Sequence, residues 1–288
     1  MIPGAFDYHR PADVDAAVKL LADLGEDALV VAGGHSLIPM MKLRMAQPEH
    51  LVDLQGIASL RGISIDGANV TIGAMTTQAE TIASVELAAV CPILREAALQ
   101  IADPQIRNLG TIGGNVANGD PGNDMPAVMQ ALDAQYHLQG PGGTRDVPAR
   151  EFYQSAFFTA RGEGEILTAI SFTAPPPKHG AAYEKQKRKV GDYATAAAAV
   201  ILVMDGDTCR HAAIALTNVA DTPLYAAAAA VALTGTGMST ADIDTAVSAA
   251  ESITAPDSDS RGPSEYRTQV AGIMVRRAIA RALASVNG

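Results

Sequence analysis

Leu29-Val30-Val31-Ala32-Gly33-Gly34-His35-Ser36-Leu37 is an apolar run that reads as a buried strand and stops at two adjacent glycines. A second break of the same kind follows downstream at Gly110-Thr111-Ile112-Gly113-Gly114-Asn115. Glycine has no Cβ, so such pairs let backbone N–H groups approach a ligand closely or turn the chain through positive φ. Two such loops can grip one diphosphate. Taken alone, each Gly-Gly is equally a tight turn, because glycine punctuates loops in most folds. Their pairing, and their surroundings, carry the argument further.

Outward from the first glycine pair, residues 11–24 place Val14, Ala17, Val18, Leu21 and Leu24 at helical spacing, and Gly25 stops the pattern. Residues 37–44 read as an apolar-rich turn and residues 51–54 as a short strand, so the start of the chain is a small β-α-β-turn-β unit. Residues 61–65 and 69–73 alternate around Asp66-Gly67, a strong hairpin signal. Helices at about 77–84 and 91–101 lead to the second glycine loop. A turn-rich polar segment, residues 118–126, then precedes strands near 135–139 and 165–172, with Gly140-Pro141-Gly142-Gly143 closing a hairpin. Pro175-Pro176-Pro177 stiffens the chain as a polyproline connection, and Pro177 is the expected domain boundary. Beyond it, residues 196–204 and 211–218 flank Asp205-Gly206-Asp207 as a second hairpin. Helices are expected at about 224–233, 239–252 and 264–284, the last with Tyr266, Val270, Ile273 and Ile279 on one apolar face.

The bulk numbers bound what this chain does. Its 288 residues suggest about two domains, and 48% hydrophobic with 18% charged residues is ordinary for a globular protein. No apolar run approaches the ~18 residues a membrane helix needs, and the start lacks a secretory signal, so a cytoplasmic location is expected. A formal charge of −10 argues against nucleic acid as a partner. Two cysteines, Cys91 and Cys209, are too few for a disulfide framework or for an iron–sulfur cluster held by this chain alone.

Familiar catalytic motifs are missing. Gly34-His35-Ser36-Leu37-Ile38 has isoleucine where a nucleophile elbow needs glycine, so a serine hydrolase is not supported. Neither a P-loop nor the Rossmann glycine fingerprint occurs, so any diphosphate is held differently. The six histidines show no i, i+4 pairing and no cysteine companion at zinc spacing, and no metal site is assigned. Lys185-Gln186-Lys187-Arg188-Lys189 reads as a solvated strand or loop face, or as cations turned toward an interface or an anionic cofactor. Tyr193, in a turn after Gly191, either lays its ring on a flat heterocycle or plugs a domain seam.

Four stretches carry a resemblance: 32–36, Ile101 to Asn115, Asn123-Asp124-Met125-Pro126, and Lys187 to Ala196. Together they resemble the FAD-binding medium subunits of aerobic molybdenum-containing carbon monoxide dehydrogenases, within the xanthine dehydrogenase family. The segments 2–9 and 259–267 favour the carbon monoxide branch over the aldehyde, nicotinate or aromatic acyl-CoA hydroxylases of the same group. The resemblance implies an α+β fold: a two-part FAD-binding domain of the vanillyl-alcohol-oxidase type over 1–177, with subdomains of about 1–55 and 56–177. A C-terminal domain of antiparallel sheet with a helical bundle then covers 178–288. It implies FAD contacts at Ala32, Gly33, Gly34, His35, Ser36, Leu37, Ile101, Thr111, Ile112, Gly113, Gly114, Asn115, Asp124, Leu167 and Tyr193, with no catalytic residue of its own. In the family the backbone N–H groups of both glycine loops donate to the diphosphate, Asp124 accepts from the ribityl chain, and Tyr193 sits close to the flavin ring. The implied partners are a large molybdenum–copper subunit and a small [2Fe–2S] subunit in a dimer of heterotrimers. A quinone is the implied acceptor, at the inner face of the cytoplasmic membrane.

Overall fold

The computed structural model describes residues 2–286; Met1, Asn287 and Gly288, which the expected domains include, lie outside the described residues. The chain begins with β1 (Asp7–His9), α1 (Val14–Leu24), β2 (Ala28–Val31), α2 (Leu37–Lys42) and β3 (His50–Asp53). The three strands form a parallel sheet in the order β1-β3-β2. Asp13 caps α1, its Oδ1 accepting from Ala16 N at 2.8 Å, and Ala17, Val18 and Leu21 pack down on the sheet. Residues 37–42 are helical where the sequence suggested a turn. Pro39 does not interrupt this helix, because it stands in the first turn, where its missing N–H costs nothing.

The middle of the chain supplies β4 (Ile63–Asp66), β5 (Asn69–Gly73), α3 (Gln78–Ala83), α4 (Val85–Val90), α5 (Pro92–Gln100), α6 (Pro104–Leu109), α7 (Ile112–Ala117) and α8 (Asp124–Ala131). The strands β6 (Gln135–Gly140), β7 (Gly143–Pro148), β8 (Tyr153–Ser155), β9 (Phe158–Thr159) and β10 (Ile166–Thr173) follow. An antiparallel sheet runs β4-β5-β10-β6-β7, with both expected hairpins in place. Two expectations give way here. The second glycine stretch is not a loop but the first turn of α7, and Asp124-Met125-Pro126, expected in a polar turn, opens α8.

The last third contains β11 (His179–Gln186), β12 (Ala196–Asp205), β13 (Thr208–Thr217), β14 (Leu224–Tyr225), α9 (Ala227–Leu233), α10 (Thr240–Glu251) and α11 (Ser264–Val286). Its four strands form an antiparallel sheet in numerical order. Leu224 and Tyr225, expected to begin a helix, pair with β13 instead. Alternation along β12 splits its side chains between two cores. Ala197, Ala199 and Ile201 join the cluster around α5 and α8, while Ala196, Ala198, Val200 and Leu202 meet α9, α10 and α11. The three helices therefore form one layer on a sheet covered on both faces, which explains its near-continuous apolar runs.

On α11 the expected apolar face is half right. Val270 and Ile279 are buried, but Tyr266 and Ile273 are exposed. The inward stripe is Val270, Ala271, Met274, Val275, Ala278 and Ala282, with small residues where the helix presses on β11. At that crossing a Cβ on Gly180 would stand 1.9 Å from Ala282 O, so only glycine fits.

Both cysteines are buried free thiols. Burial pushes the Cys91 thiol up to about 12, and Cys209 shifts the same way, so thiolate is scarce at neutral pH. The native protein at pH 8 is expected to react negligibly with a disulfide reagent over an hour, and to release two thiols once denatured. Rapid stoichiometric labelling of the folded protein would contradict this burial.

Candidate functional site

The parallel sheet, the antiparallel sheet and β11 converge on one cavity of about 710 Å³. Its first wall is the end of β2 and the turn into α2, residues 29–37. Gly34 turns at φ +74°, and among the described residues no acceptor takes the backbone N–H of Gly33, Gly34, His35 or Ser36. Four consecutive unclaimed donors make an anion-binding concavity. The Ser36 hydroxyl makes no capping bond within the chain. Gly33 is required for a different reason. A Cβ there would lie 2.5 Å from Leu109 O and 2.8 Å from Gly110 Cα, because the two glycine stretches pack backbone to backbone.

The second wall is α7, and it departs from expectation. Gly113 N donates to Ala74 O at 2.9 Å, Gly114 N to Thr111 Oγ1 at 3.0 Å and Asn115 N to Thr111 O at 3.1 Å. These N–H groups have partners within the protein, unlike those of residues 33–36. Gly113 serves packing: its Cβ would meet that of Ala74 at 2.5 Å. Thr111 accepts the capping bond, which leaves its own hydroxyl proton to donate outward. Ile112 is fully buried in the core and does not line the cavity. Asn115 braces the next segment, its Oδ1 accepting from Met125 N at 3.2 Å and its carbonyl from Asn123 Nδ2 at 2.8 Å.

The third wall joins the two halves of the chain. Asp124, in the first turn of α8, accepts from Tyr183 Oη at 2.5 Å and from Lys185 Nζ at 2.8 Å. The side chains of Lys185 and Asp124 are 1% and 5% exposed, so this is a buried ion pair. The solvated-face reading of the 185–189 run therefore fails at Lys185, although Val190, just beyond it, is exposed. Lys185 Nζ also donates to Gln100 O at 3.3 Å, and Lys187 Nζ to Gln100 Oε1 at 2.5 Å, pinning β11 to the end of α5. Burial, then the charge of Lys185, lowers the Lys187 pKa. Burial, then the Asp124 carboxylate, holds the Tyr183 phenol well above its usual range, so it remains a donor. Each Asp124 oxygen already accepts one bond, and each keeps a lone pair for a hydroxyl donor.

Tyr193 forms the lip. It is 42% exposed, its ring lies against Gly122, and the Arg261 guanidinium stands 6.0 Å from its centroid. Arg188 Nε bonds Asp192 Oδ2 at 3.1 Å and holds that turn. Ala32, Leu37, Ile101 and Leu167 supply apolar surface in the same cavity. Of the fifteen expected residues, all but Ile112 line it. Sequence reasoning missed Gln78, Asp103 and Asn123, which line it too. A cysteine and histidine cluster suited to a metal is absent among the described residues. Unclaimed N–H donors, two hydroxyls, a buried lysine and apolar surface in one cavity suit a bulky ligand that is anionic at one part and flat at another. The chemistry of these donors fits a flavin dinucleotide.

Comparison with known proteins agrees. Residues 4–175 match the family described as FAD binding domain in molybdopterin dehydrogenase, and residues 181–282 match the CO dehydrogenase flavoprotein C-terminal domain. The chain is 62% identical over 284 residues to the carbon monoxide dehydrogenase medium chain of Afipia carboxidovorans, covering 99% of each. It is 49% identical to the medium chain of Hydrogenophaga pseudoflava, covering 97% of each. It superposes on a crystal structure of Cu,Mo-CO dehydrogenase in its cyanide-inactivated form with a TM-score of 0.98, at 62% identity, covering 99% of this chain and 100% of that one.

Proposed function

This chain belongs to the family of FAD-binding domains of molybdopterin dehydrogenases, and from that premise we propose that it is the flavin-carrying medium subunit of an aerobic carbon monoxide dehydrogenase. One observation carries the substrate: 62% identity to a carbon monoxide dehydrogenase medium chain, unbroken over 99% of both chains. The cavity supports the cofactor.

In this reading residues 1–177 hold FAD, as subdomains of about 1–55 and 56–177, and residues 178–288 close the site from the other side. Backbone N–H groups of Gly33, Gly34, His35 and Ser36, with the Ser36 and Thr111 hydroxyls, donate to the diphosphate. Gly113, Gly114 and Asn115 act by shape and bracing, since their own N–H groups are engaged. Asp124 offers its remaining lone pairs to ribityl hydroxyls while its contacts with Lys185 and Tyr183 hold the carboxylate in place. Ile101, Leu167 and Tyr193 exclude water from the flat part of the ligand. Bound FAD supplies the ability to take electrons singly and give them up in pairs. Nothing in this role needs a general acid or base, and the chain contributes position and shielding.

The carbon monoxide chemistry belongs to a large molybdenum–copper subunit, and a small [2Fe–2S] subunit delivers the electrons. The assembly is a dimer of heterotrimers that passes electrons to a quinone at the inner face of the cytoplasmic membrane. No helix among the described residues is long and apolar enough to cross a membrane. The test is to purify the full chain with its accompanying subunits, record the flavin spectrum and add carbon monoxide. Bleaching that requires the molybdenum and iron–sulfur subunits is expected. A flavin that stays oxidised with every subunit and metal present would move the assignment to another molybdenum hydroxylase.

A further inference from the structure

Gln78 opens α3, and its backbone N–H donates to Gly110 O at 2.8 Å. Gly110 is also the residue against which Gly33 packs, and a Cβ on Gly110 would stand 3.8 Å from the His35 ring. Gln78 therefore occupies the seam where the two glycine stretches meet, and it is among the residues that line the cavity. It is 2% exposed, yet neither Nε2 nor Oε1 has a hydrogen-bond partner.

The polar groups of its own helix cap bond one another, and no group of the chain meets the Gln78 amide. Thr77 Oγ1 accepts from Glu80 N at 3.1 Å while Glu80 Oε2 accepts from Thr77 N at 2.7 Å, completing a capping box. Thr81 Oγ1 donates to Thr77 O at 3.1 Å, and Thr111 Oγ1 caps α7. A buried amide with no partner at either end is costly and rare in folded proteins. Nothing in the packing of α3 needs an amide here, since leucine has a similar volume. The remaining source of partners is whatever fills the cavity.

We propose that Gln78 is a ligand-binding residue of this site, its carboxamide giving one donor to a diphosphate oxygen and one acceptor to a neighbouring hydroxyl of a dinucleotide. Either orientation of the amide presents this donor and acceptor side by side. A phosphate ester beside a polyol or ribose carries the complementary pair. A carboxylate at this position would repel the diphosphate, and an apolar side chain would leave the ligand's own polar atoms unpaired. The assignment rests on the reading of the cavity as an FAD site.

The test uses the full chain purified with its accompanying subunits, as wild type, Gln78→Leu and Gln78→Glu. Flavin-to-protein ratios are measured after equilibration with graded FAD, and thermal midpoints are measured on the FAD-stripped forms. Gln78→Leu is expected to weaken FAD binding by about ten- to a hundredfold, the range for a bond to a charged group. Its stripped form should melt at or above the wild-type temperature, because it no longer buries an unpaired amide. Gln78→Glu should weaken FAD binding further. Unchanged FAD affinity in Gln78→Leu would overturn the assignment, as would a stripped form that melts well below wild type, which marks a structural role. A wild-type protein that takes up no FAD would instead sink the cofactor reading itself.

Discussion

Gly33→Ala is expected to empty the protein of flavin. The added methyl group would lie 2.5 Å from Leu109 O and 2.8 Å from Gly110 Cα. Both neighbours are backbone, so no side chain can swing aside, and the end of β2 must part from the α6–α7 connection. That movement costs about 1–3 kcal/mol as overpacking. Its effect on the ligand is larger, because all four unclaimed N–H groups of 33–36 shift together and their bonds to one diphosphate are lost as a set. A fall in FAD affinity of more than about a hundredfold is expected, as for losing two charge-assisted bonds. The measurement is the flavin-to-protein ratio after gel filtration, with a thermal scan showing that the variant is folded. Gly142→Ala, where the new Cβ meets nothing within 4 Å, should keep its flavin. Gly33→Ala at the wild-type ratio would show that this wall does not hold the cofactor.

The contrast between the two glycine pairs also explains what the sequence could convey. Both announce themselves by composition, and both do line one cavity. Their difference is tertiary. Gly33-Gly34 leaves its donors free because Gly34 turns at φ +74° out of a strand end. Gly113-Gly114 spends its donors because Ala74 and Thr111 are close enough to accept them. Local rules read glycine pairs as turns, and only the close approach of Ala74 shows why Gly113 sits in a helix. The two Asp-Gly hairpins, by contrast, depend on adjacent residues alone and were legible without help. The inward face of α11 was only half legible because it is chosen by small residues that admit β11. Alanine carries too little hydrophobic signal to outweigh Tyr266 and Ile273. Gln78 left no trace in the sequence, since one glutamine at a helix start resembles any other.

Lys185 shows the same limit most clearly, and its replacement carries the second large effect. Its partner Asp124 lies 61 residues away, so a run of cations looked like surface. Lys185→Met removes the ammonium but leaves a carboxylate 5% exposed with the Tyr183 hydroxyl as its remaining hydrogen-bond donor among the described residues. Breaking a buried pair from one side costs about 3–5 kcal/mol, because the remaining charge is uncompensated. Tyr183→Phe removes one bond to that carboxylate and should cost less, about 1–3 kcal/mol. Lys185→Met combined with Asp124→Leu removes both charges and should recover much of the single-variant loss in denaturant titrations of the flavin-free protein. If the double variant is no more stable than Lys185→Met alone, the pair is not the cause. The flavin separates the two roles of this pair. Should it serve only to clamp α8 to β11, the double variant regains flavin as it regains stability. Because Asp124 and Lys185 both line the cavity, the expected result is that stability returns while FAD affinity does not.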